Sequence, residues 1–93
     1  MANNLFISHD LYNPKENYQQ VGAAIRSLGD AIQVQYSLWY VKSRFDSSQA
    51  RDIVANVIDL NDTIIIIDVT NRQLGMQHLK SEISRFVVNN FNK

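Results

Sequence analysis

The sequence predicts one α+β domain in which strands and helices follow one another as βαββαβ, with an antiparallel sheet and an additional C-terminal helix. Three observations carry that expectation. Two internal segments show helical apolar spacing, β-branched or alternating runs flank each of them, and a chain of 93 residues has room for one core. This is the ferredoxin-like, split βαβ arrangement, with its core over residues 4–70 of a single domain spanning 1–93.

Residues 4–11, Asn-Leu-Phe-Ile-Ser-His-Asp-Leu, read as the first strand, apolar at its start and polar at Ser8, His9 and Asp10. Asn13-Pro14 predicts a turn, because proline fixes its own φ and drives the preceding residue out of the helical region. Tyr18, Val21, Ile25 and Leu28 then recur at helical spacing, widened by Ala24, and Gly29-Asp30 is expected to end that helix. Ile32, Val34 and Tyr36 alternate with glutamines before residues 38–41 become continuously apolar, so a bend or bulge near Ser37 should join two strands. Asp46-Ser47-Ser48 supplies oxygens to cap a second helix, with Ala50, Ile53, Val54, Val57 and Ile58 on its apolar side and Asn61-Asp62 at its end. The run at 63–69, rich in β-branched residues, is expected inside the sheet with both faces covered. After a turn at Asn71-Arg72, Leu79, Ile83, Phe86 and Val87 mark a C-terminal helix at about 75–91.

Composition narrows the partners. Nine Lys/Arg balance nine Asp/Glu, so no global field attracts a long polyanion or an anionic membrane, and long nucleic acid is disfavoured as a ligand. The absence of cysteine removes disulfides, thiolate metal sites and a cysteine nucleophile together. The longest aliphatic run, residues 64–67, falls far short of the roughly 20 residues that span a bilayer, and the Met-Ala-Asn-Asn start has no basic leader, so a cytoplasmic protein is expected. A domain this short buries only about 60 to 65% of its unfolded surface, which favours covering a spare face with a second subunit.

Several stretches line up with a known family: His9-Asp10-Leu11, Asn13-Pro14, Ile25-Arg26-Ser27, Ser37-Leu38-Trp39, Ala50-Arg51-Asp52 and Asn61-Asp62 leading into the isoleucine run. Over most of residues 4–70 the chain resembles the small ferredoxin-like proteins that include the CRISPR-associated Cas-two family and the VapD toxins, and within them a SinR-like branch of unassigned activity. The resemblance implies a homodimer in which first-strand aspartates face each other and can hold a divalent cation such as Mg²⁺. That role would fall on Asp10. His9 stands where the family usually has tyrosine, and no basic ridge is visible, two departures that point away from nucleic-acid processing.

Read as chemistry, Asp10 is a candidate Mg²⁺ ligand, or else an acceptor for the backbone of the Asn13-Pro14 turn. His9 and Asp10 are strand neighbours on opposite faces, so they do not pair as acid and base; His9 is expected at the surface or an interface, and His78 solvated on the last helix. No Ser-His-Asp set, phosphate loop or paired-histidine metal spacing is present. Tyr36, Trp39 and Tyr40 form an aromatic group that would either stack nucleobases or fill the core or a dimer seam. Arg26, Arg44, Arg51 and Arg72 are candidate phosphate contacts if they cluster, and solvated surface pairs if they do not, the first three being the ones near strand or helix ends. The expected function is a non-catalytic homodimeric binding module holding a small nucleotide-type ligand or a protein partner at the subunit interface, in the setting of a phage or mobile element. The rivals are a Mg²⁺-dependent endonuclease using paired Asp10 carboxylates and a purely structural interaction protein.

Overall fold

The computed structural model describes residues 2–12 and 14–93, so the Asn13 half of the expected turn lies outside the described residues. The elements are β1 (Asn3–Asp10), α1 (Pro14–Arg26), β2 (Gly29–Gln35), β3 (Leu38–Ser43), α2 (Ser47–Ala55), β4 (Thr63–Asp68) and α3 (Ser81–Asn90). The strands form one antiparallel sheet in the order β2-β3-β1-β4, the ferredoxin-like arrangement expected from the sequence.

Strand alternation sorts the core. Leu5, Ile7, Trp39 and Val41 project from the central strands into one buried cluster with Val21 and Ile25 of α1 and Ala50 and Val54 of α2. On the opposite face Tyr40 packs against Phe6, and against Phe86 and Phe91 from the α3 region. α3 therefore covers part of the second sheet face. Its docking is completed by a polar network: the buried Asn4 donates to Asn92 Oδ1 at 2.8 Å and accepts from the Tyr40 hydroxyl at 2.5 Å. Asn92 Oδ1 also accepts from the Asn71 N–H at 2.8 Å, so the turn after β4 and the C-terminus are tied to β1.

Several boundaries differ from the sequence expectation. Gly29 opens β2 instead of closing the first helix, which ends at Arg26. Its φ of +159° and a virtual Cβ only 2.1 Å from the Lys42 carbonyl oxygen show why glycine stands there: β2 and β3 approach too closely for any side chain. The expected bend is a turn at Tyr36-Ser37, with a register irregularity between Gln33 and Gln35. α2 begins as expected, Asp46 accepting from Gln49 N–H at 2.8 Å while Gln49 Oε1 accepts from Asp46 N–H at 3.0 Å, but it ends at Ala55. The C-terminal helix starts at Ser81, leaving His78 exposed in the preceding loop.

The largest correction concerns β4. It is an edge strand, not an interior one. Ile64 and Ile66 pack on the core, whereas Ile65 and Ile67, on the opposite face, remain 61% and 52% exposed. An apolar β-branched run specifies a strand but not what lies over its second face.

Candidate functional site

Two surfaces stand out. The first is a cleft of about 500 Å³ beside α1, lined by Tyr18, Gln19, Gly22, Arg26 and Trp39. Helical spacing puts Tyr18, Gly22 and Arg26 on one side of α1, above Trp39 of β3. The Arg26 guanidinium carbon lies 4.9 Å from the Trp39 ring centroid, a cation–π distance. A Cβ on Gly22 would stand 3.3 Å from Arg26 Nη1 and 3.6 Å from Trp39 Cζ2, so α1 passes close to both the guanidinium and the indole at this position.

Tyr18 joins this cleft to a smaller hollow of about 80 Å³ formed with His9, Asp10, Leu11, Tyr36 and Ser37. The Tyr18 ring meets His9 edge-on at 6.0 Å and Tyr36 at 6.2 Å. Gln33 holds the arrangement in place, its Nε2 donating to the Tyr18 hydroxyl and, at 2.6 Å, to the Tyr36 carbonyl. His9 is 6% exposed, not the surface or interface residue expected; burial holds its pKa below the ordinary 6.5, with the opposing influence of Asp10 smaller. The imidazole is therefore neutral near pH 7.

The second surface is the open half of the sheet, where Ile65 and Ile67 of β4 adjoin Phe6 and Ser8 of β1 in register. Asp10, paired with Thr63, lies exposed at the end of the same face.

The six expected ligand-binding residues do not form one group. Tyr36, 75% exposed, Trp39 and Arg26 converge around Tyr18. Tyr40 is on the other side of the sheet, wholly buried, its hydroxyl pKa raised to about 12 by burial and by Asp30. Arg44 lies 5.1 Å from the Phe45 ring, and Arg51 pairs with Asp52 at 3.0 Å on the surface of α2. Sequence reasoning missed Tyr18, Gln33 and Gly22, which looked like helix and strand filler because their meeting depends on how α1 crosses the sheet. It also passed over the buried Asp62, whose carboxylate accepts backbone N–H groups from Tyr12 and Asp59 at 2.7 and 2.8 Å. Among the described residues no three His, Cys, Asp or Glu side chains gather to hold a metal ion. No helix among them is long and apolar enough to cross a membrane.

No family model and no curated protein matches the sequence. In three dimensions the chain is similar to a hypothetical protein, TT1823, from Thermus thermophilus, with a TM-score of 0.64 and 15% identity over 86% of this chain and 96% of that one. At that identity the likeness is one of fold.

Proposed function

We propose that the chain is a non-catalytic, Cas-two-like binding module that works as a homodimer and holds a small nucleotide-type ligand. The observation that carries the dimer is the exposure of Ile65 and Ile67 side by side on an edge strand. An open apolar edge invites uncontrolled pairing unless something covers it, and a two-fold contact needs only one such patch, repeated on the second copy. Light scattering should give twice the monomer mass, and Ile65→Lys with Ile67→Lys should return it to the monomer. A wild-type monomer at tens of micromolar would sink the dimer.

The ligand follows from the zero net charge, which suits a small anion better than a polymer, and from an arginine and aromatic rings in one cleft. Calorimetry against a panel of nucleotides should detect binding. Silence across the whole panel would remove the ligand and leave a module for a protein partner.

One observation favours a second reading. Asp10 is exposed on the same face as Ile65, so a two-fold through that patch would bring two Asp10 carboxylates toward each other. Among the described residues of one chain Asp10 belongs to no cluster of three metal-ligating side chains. A Mg²⁺-dependent nuclease would require the pair, and its activity on RNA or DNA would have to vanish in Asp10→Ala.

A further inference from the structure

We propose that the Tyr18-centred cleft seats a nucleoside 5′-monophosphate, with the phosphate against Arg26 and the Trp39 indole N–H and the base against Tyr36. The assignment rests on the nucleotide-type reading above and adds the site, the ligand class and the role of each residue.

Four observations converge. First, Arg26 makes no ion pair among the described residues, where Arg51 and Asp52 form the salt bridge, so its guanidinium donors are available to an incoming anion. Second, Trp39 Nε1 is buried, and it is the buried side-chain polar atom left without a hydrogen-bond partner among the described residues. Such a donor is costly to leave unpaired, and this one belongs to a ring that lines the cleft. Nε1 and Cζ2 lie on the same edge of the indole, and Cζ2 is the Trp39 atom nearest to Gly22. A ligand oxygen entering beside Gly22 meets that edge as the flexible arginine turns from the ring to the phosphate.

Third, Tyr36 presents a largely exposed ring beside Tyr18, while Gln33 fixes both by its two hydrogen bonds. The Tyr18 hydroxyl accepts from Gln33, so its own proton is free to be donated into the cleft. Fourth, the cleft of about 500 Å³ falls within the roughly 300 to 1,000 Å³ usual for small-ligand sites. Inorganic phosphate alone would leave the two tyrosine rings unused. A longer nucleic acid would need more cations than the single arginine here supplies.

The chain has one tryptophan, so its fluorescence reports on this cleft directly. The full-length protein would be titrated with the four ribonucleoside 5′-monophosphates, adenosine and inorganic phosphate, by tryptophan emission and by calorimetry. At least one monophosphate should shift the emission saturably, with adenosine and inorganic phosphate each binding at least about tenfold more weakly. Arg26→Ala should weaken binding about tenfold and Tyr36→Ala several-fold, both at exposed positions whose folding circular dichroism can verify. Trp39→Phe, followed by calorimetry, should also weaken it several-fold because it keeps a ring but removes the N–H. Arg44→Ala and Arg51→Ala should bind as the parent does. Calorimetric binding with unchanged emission, or unchanged affinity in both Arg26→Ala and Tyr36→Ala, overturns the site while leaving the nucleotide reading intact. No binding by either method overturns both.

Discussion

His9 sits under α1 with its ring edge on Tyr18, and burial keeps the imidazole pKa below 6.5. In the unfolded chain the group protonates at its ordinary pKa, so acid favours unfolding: the unfolded state binds the proton first as pH falls through 6.5. Stability should therefore be full above 6.5 and decline as the pH drops from there toward the lowered folded value. Urea midpoints between about pH 5 and 7.5 should rise with pH, and His9→Phe should flatten that rise. A slope unchanged in His9→Phe would show that another group is responsible. Sequence alternation correctly separated His9 from Asp10, since neighbouring strand residues face opposite ways. It could not say that the His9 side was the buried one, because the polar end of β1 resembles a solvated strand end until α1 is laid across it.

The two helices that flank β4 are anchored in different ways. α2 has a capping box between Asp46 and Gln49, legible in the sequence because every participant lies within one turn. Asp46→Ala should lower unfolding stability by about 1 kcal/mol in urea titration. α3 has no side-chain cap at Lys80; beyond the packing of Phe86 and Phe91 on Tyr40, its polar anchor is the Asn4–Asn92 contact at the other end, between residues 88 positions apart. Asn92→Ala leaves the Asn4 amide and the Asn71 N–H without their acceptor, an expected loss of about 1 to 3 kcal/mol. Hydrogen exchange in α3 should rise in Asn92→Ala more than in Asp46→Ala. Equal protection of α3 in the two variants would contradict this division of roles.

At the scale of the molecule, the sheet has one face packed by α1 and α2 and a second face that α3 covers only in part. The uncovered remainder is apolar at Ile65 and Ile67. If two copies meet there, folding and association are linked, and the melting temperature should climb with protein concentration over a hundredfold range. Ile65→Lys should remove that dependence. A melting temperature independent of concentration in the parent protein would argue for a folded monomer. The ligand cleft lies on the helical side of the sheet, so the dimer variant and the Arg26→Ala variant test separate surfaces.

Local chemistry by itself determined the order of strands and helices, the Asp46 cap, the hairpin near Ser37 and the opposite facing of His9 and Asp10. Each depends on residues within a turn or a strand of one another, where periodicity and capping are written directly in the chain. Only the tertiary structure decided that β4 is an edge, that the Asp62 carboxylate holds the backbone of Tyr12 and Asp59, and that Trp39, Arg26 and Tyr36 gather around Tyr18. Those outcomes depend on strand order and on where α1 crosses the sheet. Both are set by contacts between residues far apart in the chain, and no local pattern records them.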